Sequence, residues 1–217
     1  MAKPGAMSTD WRAAAENITP PPVTRSVTPA PGDDELMAEV AGGNAAACAL
    51  LADRHLPRVV ALAARLLGNP SDAEDVAQEV FLRTWRKAPE WETGRARLST
   101  WMHRVTVNLC TDRYRRNTRH SGPVALDTVD EPADPAPAAD SILITRQTAL
   151  RVEQALQALP ERQRTAIVLC HYEGHSNLEA AGLMSIGDEA VESLLARGRR
   201  GLRKLLASDS QELLNDA

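Results

Sequence analysis

Residues 176–206, SNLEAAGLMSIGDEAVESLLARGRRGLRKLL, decide the fold. Ser176 and Glu179 stand as a capping box, in which a hydroxyl and a carboxylate three residues apart satisfy backbone N–H groups at a helix start. A short helix to about Met184 follows, then the turn Ser185-Ile186-Gly187, then a longer helix from Asp188 to about Leu206. Val191, Leu194, Leu195, Leu202 and Leu205 recur on one side of the longer helix. Ala180 and Ala181 are small enough to let two helices cross closely. A short helix, a tight glycine turn and a longer basic helix form the pattern of a DNA-reading helix-turn-helix. Between 190 and 206, four Arg and one Lys face Glu192 alone, a net of +4. A merely solvated helix usually mixes its signs, so the bias favours a phosphate partner over a bland helical hairpin.

Working towards the N-terminus, Ile142, Thr145, Ala149, Val152, Leu156 and Leu159 recur at helical spacing. Pro160 suits the first position of the next helix, which carries Ile167, Val168 and Leu169 and ends near Gly174. Residues 121–139 hold Pro123, Pro132, Pro135 and Pro137 with four acidic residues and no apolar period, the composition of a flexible linker. Before it, four helices are expected. The first starts at Asp33-Asp34-Glu35, acids suited to the positive end of a helix dipole, and carries Leu36, Val40, Ala47, Leu50 and Leu51. The second spans about Asp53 to Leu67 and stops at Gly68. A capping box from Ser71 to Glu74 opens the third, which runs to about Lys87 and is stopped by Pro89. Ser99 caps the fourth, from Thr100 to about Asn117. Residues 1–32 contain six prolines and carry no packing pattern. No strand pattern is convincing, so the fold class is all-α. Two small helical domains, 33–120 and 140–208, are joined by the linker, with an extension at 1–32 and a tail at 209–217.

A single Phe among 217 residues leaves the cores to Leu, Val and Ala. No apolar run approaches the ~20 residues of a bilayer span, and the N-terminus lacks a basic flank and apolar stretch. Cys48, Cys110 and Cys170 are odd in number and far apart, fitting a reducing cytoplasm rather than a disulfide framework. The net charge of −4 hides segregation. Residues 33–82 carry nine acidic and three basic side chains, whereas 101–120 carry five Arg against Asp112 alone. One acidic and two basic segments imply two kinds of partner.

Three motifs carry a family resemblance. DAEDVAQEVFLRTW (72–85) and LSTWMHRVTVNLCTDRYRR (98–116) resemble sigma region 2, and LPERQR (159–164) through Arg200 resembles sigma region 4. Their order and the short linker are similar to those of extracytoplasmic-function sigma factors, group four of the sigma-70 family. The resemblance implies a sigma-2 domain, a linker and a sigma-4 helix-turn-helix domain. It also implies a factor that binds core RNA polymerase, on the clamp of the largest subunit and the flap of the second, and directs promoter recognition, melting and initiation. Asp75, Gln78, Glu79, Leu82, Arg83 and Trp85 are then the core-binding residues, an acidic and amide helix face with an apolar anchor. Trp91, Arg95 and Arg97 lie in the loop that captures a flipped base in the family. Trp101, Arg104, Asn108 and Asp112 follow at spacings of three, four and four, and with Arg115 and Arg116 they contact the minus-ten element. Arg113 and Arg119 are expected on phosphates. Glu192, Ser193, Ala196, Arg197, Arg199 and Arg200 would meet the minus-thirty-five element, Glu accepting from cytosine and Arg bridging guanine. Gly187 and Asp188 replace the family's usual cap and small apolar residue, with Asp188 taking over the cap and shifting the helix start.

The resemblance further implies control by a separate anti-sigma protein, since only about eleven residues follow Leu206. No Gly-rich phosphate loop, nucleophile elbow or carboxylate pair is present, so neither an enzyme nor a small-molecule substrate is expected. His171 and His175, with Cys170 and Glu173, have metal-like spacing, but Gly174 interrupts them; no metal and no cofactor are predicted. The competing reading is a dimeric helix-turn-helix regulator acting without core polymerase. It leaves the acidic helix at 72–85 and the Trp-rich segment at 85–101 without purpose.

Overall fold

The computed structural model describes residues 31–120 and 140–215, with side-chain surroundings for 31–117 and 148–207. The expectations for 1–30, the linker 121–139 and the last two residues lie outside them. The helices are α1 (Asp33–Ala41), α2 (Ala45–Leu67), α3 (Pro70–Lys87), α4 (Leu98–His120), α5 (Asp140–Gln157), α6 (Glu161–Ile167), α7 (Asn177–Met184) and α8 (Asp188–Asn215). A 3₁₀ turn at Ala88–Glu90 follows α3, and a π-helical turn at Val168–Tyr172 prolongs α6. No strand occurs among the described residues.

Local chemistry moves several helix ends from their expected places. The first two helices divide at Gly42-Gly43-Asn44, not before Asp53. Gly43 takes φ +82, and the Asn44 side chain accepts from the N–H groups of Ala46 and Ala47. One cap and one left-handed glycine therefore outweigh Pro57, which lies inside α2 on its exposed side. Asn69, not Ser71, caps α3, accepting from Asp72 N–H at 3.2 Å. Pro70 takes the first helical position, where a missing N–H is harmless. Fourth in line, α4 begins at Leu98 rather than Thr100. Pro160 is the cap of α6 rather than its first residue. The box at Ser176 forms as read, with Glu179 N–H to Ser176 Oγ at 3.3 Å and Ser176 N–H to Glu179 Oε2 at 2.8 Å. Asp188 is the first residue of α8 and accepts from Glu189 N–H at 3.0 Å.

In the N-terminal group, α1 to α4 surround Leu36, Met37, Leu51, Leu62, Val80, Leu98 and Met102, each fully buried or nearly so. Burying such side chains stabilises by roughly 1.5–3 kcal/mol each. The C-terminal group packs α5 to α8 around Leu156, Ile167, Val168, Leu169, Leu183 and Val191. Glycine, rather than the alanines alone, permits the α6–α8 crossing. A Cβ at Gly198 would lie 3.0 Å from Ile167 Cδ1, and one at Gly201 would lie 2.7 Å from Leu159 Cδ2.

Polar side chains join the two groups. Arg58 of α2 donates to Glu173 Oε2 at 2.9 Å, and Thr111 of α4 donates to Glu161 Oε1 at 2.9 Å. Gln157 donates through Nε2 to the Arg65 carbonyl at 2.8 Å. His103, only 3% exposed, places Nδ1 2.8 Å from His175 Nε2. Burial depresses His103 from the ordinary histidine value to about 4, opposed by Glu173 and reinforced by His175, Arg58 and His55. The neutral ring is therefore the native form. Its stabilisation is complete above about pH 6.5, where the exposed ring is also neutral, and is lost as pH falls from there towards about 4. The loss is expected to reach on the order of 2–3 kcal/mol. Urea unfolding at pH 7.5 and 5.5 should show the decline, and His103→Gln should flatten it.

Candidate protein-docking and nucleic-acid interfaces

Helix α3 buries Ala73, Val76, Ala77, Val80, Phe81 and Thr84 against the core. A helix that commits this stripe inward must turn Asp75, Gln78, Glu79, Leu82 and Arg83 outward. Leu82 is 47% exposed, a large apolar side chain in the middle of a polar face. Glu79 accepts from Arg83 Nε at 2.7 Å, and this bond holds its carboxyl below the usual range. Trp85 is half-buried, edge-on to Phe81 with ring centroids 5.2 Å apart. The six residues expected at a protein partner therefore lie along one side of α3, from Asp75 near its start to Trp85 near its finish. Asp75 has a second duty. Arg113 of α4 donates to Asp75 Oδ2 at 3.0 Å and to Asp72 Oδ1 at 2.6 Å. Arg113, expected on phosphate, here crosses from α4 to α3 and ties the two helices together.

The loop between the 3₁₀ turn and α4 brings Trp91 against Trp101, with ring centroids 6.2 Å apart and planes at 80°. An open hollow of about 440 Å³ lies there, lined by Lys87, Trp91, Arg95, Trp101 and Arg104 among others. Both indoles are partly buried, and Arg95 and Arg104 are exposed at the rim of the hollow, while Arg97 is exposed but does not line it. Trp101 serves core and surface together, packing against the core while still lining the hollow. Cationic rims beside aromatic walls suit an unstacked base, whose ring gains roughly 1–3 kcal/mol by stacking. Further along α4, Asn108, Asp112, Arg115 and Arg116 are exposed. The first three border a second hollow of about 410 Å³ together with Arg83, Thr111, Glu161, Arg162 and Ser185.

In the C-terminal group, Val191, Leu194 and Leu195 bury one side of α8. Glu192, Ser193, Arg197, Arg199 and Arg200 are exposed, and Ala196 is half-buried. Arg197 and Arg199 each curl back to a carbonyl one turn earlier, on Ser193 and Leu195, both at 3.3 Å. Sequence reading missed the residues that steady these surfaces. Asp34 of α1 accepts from Trp91 Nε1–H at 2.7 Å and from Gly94 N–H at 3.2 Å. His103, Glu173 and Arg58 meet only through the tertiary fold. Among the described residues, no three His, Cys, Asp or Glu side chains gather as a metal site. No helix is long and apolar enough to cross a membrane.

Comparison with known proteins follows this division. Residues 51–120 match the model of Sigma-70 region 2, and residues 149–202 match that of Sigma-70, region 4. The chain is 36% identical to the ECF RNA polymerase sigma factor SigE of Mycolicibacterium smegmatis over 77% of its own length and 64% of that protein's. It is 33% identical to SigM of Mycobacterium tuberculosis, over 80% of its length and 84% of the relative's. Among solved structures, CnrH in complex with the cytosolic domain of CnrY is 29% identical, with a TM-score of 0.57 over 82% of this chain and 98% of that one. The sigma factor RpoE of Bartonella quintana, in complex with the anti-sigma factor NepR, is 26% identical with a TM-score of 0.58, covering 74% of this chain and 96% of that one. The capping box that starts the helix-turn-helix offers a direct check. Ser176→Ala should cost about 1 kcal/mol by urea unfolding, with Ser176→Asp close to the original chain.

Proposed function

The chain belongs to the extracytoplasmic-function sigma factors of the sigma-70 family, and from that premise we propose that it binds core RNA polymerase, selects promoters and opens them. It supplies positioning and base capture rather than a covalent step. The observation that carries this reading is the separation of chemistries on one scaffold. An acidic and amide face of α3 bears exposed Leu82. The Trp91–Trp101 hollow is rimmed by Arg95 and Arg104, and a basic α8 exposes the side chains of its first turns.

Each surface takes one role. Asp75, Gln78, Glu79, Leu82, Arg83 and Trp85 dock on the polymerase clamp, with the α5–α8 group reaching the flap. Unpaired minus-ten bases enter the tryptophan hollow, offsetting the cost of separating strands. Arg95, Arg97 and Arg104 with Asn108, Asp112, Arg115 and Arg116 follow the strand. The minus-thirty-five duplex meets Glu192, Ser193, Ala196 and Arg197, while Arg199 and Arg200 neutralise phosphates. The solved relatives CnrH and RpoE were each held by a second protein. By the same logic, a separate anti-sigma protein holds this chain inactive until a signal releases it. A cytoplasmic location follows from a polymerase partner.

Asp75 is a poor probe of docking, because its loss also removes one of the two carboxylates that hold Arg113. Gln78→Lys with Leu82→Glu is cleaner. A charge placed on the buried anchor of an interface removes a contribution that reaches about 2 kcal/mol at a hot spot, so affinity for core polymerase should fall about thirtyfold with the melting temperature unchanged. Gel filtration and run-off transcription with purified core check it; a double variant that still forms holoenzyme removes α3 from the interface. A regulator independent of polymerase would instead bind duplex promoter tightly by itself. Holoenzyme affinity for promoter DNA should also fall steeply with salt, and Arg200→Ala should lower the log–log salt slope by about 1. Titrations between low and physiological salt read that slope directly.

A further inference from the structure

The loop carrying Trp91, Arg95 and Arg97 has few restraints of its own. Trp91 N–H reaches the Ala88 carbonyl at 3.1 Å, Arg95 N–H reaches that of Glu92 at 3.3 Å, and Arg95 pairs with the exposed Glu92 carboxylate. Gly94 turns the chain at φ +78, a conformation L side chains rarely adopt. A loop of this kind would sample many shapes, and ordering it on DNA would consume binding energy.

Its strongest tether comes from 57 residues upstream. Asp34 sits in the first turn of α1, and that turn is anchored on its other side. Leu36 and Met37 are fully buried, and neighbouring Asp33 pairs with Arg54 and His55 of α2. From this anchored position the two Asp34 oxygens accept from different donors. Oδ1 takes the Trp91 indole N–H at 2.7 Å, and Oδ2 takes the Gly94 backbone N–H at 3.2 Å. One carboxylate therefore fixes both the edge of a hollow-lining ring and the turn that follows it. The ring fixed at that edge is the one held at 80° to Trp101.

We propose that Asp34 is a positioning residue for base capture: it holds the Trp91 loop in its receiving shape before the promoter strand arrives. The inference rests on reading the Trp91–Trp101 hollow as a base site, and Asp34 itself need not touch DNA. Its effect should appear at one promoter position alone. General damage to the fold would weaken every position together.

The test uses holoenzyme and partly single-stranded minus-ten DNA in which each base in turn is replaced by an abasic site. With the original chain, removing the captured base should weaken binding about tenfold or more, from the stacking it forfeits. Asp34→Ala should shrink that penalty to within about twofold, while penalties elsewhere and minus-thirty-five binding stay unchanged. Asp34→Asn, still able to accept from Trp91, should fall between. Trp91→Phe keeps a ring but loses the donor, and should behave like Asp34→Ala. Should the alanine variant keep the full penalty, or lose affinity evenly at all positions, Asp34 has no positioning role. If the original chain shows no position sensitive to base removal, the base-site reading itself fails and takes this one with it.

Discussion

An α-helix distributes its side chains at about 100° per residue, and α4 must serve both core and surface under that constraint. Leu98, Met102, His103, Thr106, Val107 and Cys110 go inward. Trp101, Arg104, Asn108 and Asp112, at the intervening positions, have no choice but the outside or its margin. Thr106 settles its hydroxyl on the Met102 carbonyl within the helix, so a polar residue is buried without a cavity or an orphan. Burial pushes the Cys110 thiol up to about 12, leaving it an inert packing group. The proposed nucleic-acid contacts that α4 carries hang on this partition. Arg113 fixes it further by locking α4 to α3.

The glycines of α8 answer a similar demand in the second group. A helix rich in arginine and leucine is bulky on all sides, yet it must approach α6 closely enough to bury Ile167. Gly198 and Gly201 clear two successive turns for Ile167 and Leu159. They weaken the helix intrinsically by about 1 kcal/mol each relative to alanine. The close crossing compensates, and it holds the recognition face of the same helix at a fixed angle to its neighbours. Arg164 lies buried in this region, donating to the carbonyl and side chain of Gln157.

Much of this was legible in the chain itself, because it was local. The Ser176 box, the turn after Met184, the inward stripe of α3 and the segregated charges all involve residues within a turn or two of each other. Ends were misplaced where two plausible signals competed a few residues apart. Asn69 prevailed over Ser71 because Pro70 has no N–H to cap and suits the first helical position. Gly43 and Asn44 ended α1 well before Asp53, although the apolar spacing from Leu36 to Leu51 reads as one helix. The contacts that steady the interfaces left no such trace. Asp34 and Trp91 are 57 residues apart, and His103 and His175 are 72 apart. Nothing in local spacing distinguishes Asp34 from its neighbours Asp33 and Glu35. The pairing of Arg113 left no trace for the same reason: a cluster of arginines looks uniform until the fold brings a carboxylate to one of them.

The seam between the two helical groups carries its own consequence. Asn108, Thr111, Asp112 and Arg115 look across a narrow gap at Glu161, Arg162 and Ser185. The two groups thus share one polar hollow, and a ligand that enters it touches both. Apolar burial runs through both halves as one cluster, and the hydrogen bonds of Arg58, Thr111 and Gln157 cross the seam beside it. A substitution at Thr111 or Glu161 therefore acts on the packing of both halves as well as on anything that enters the hollow.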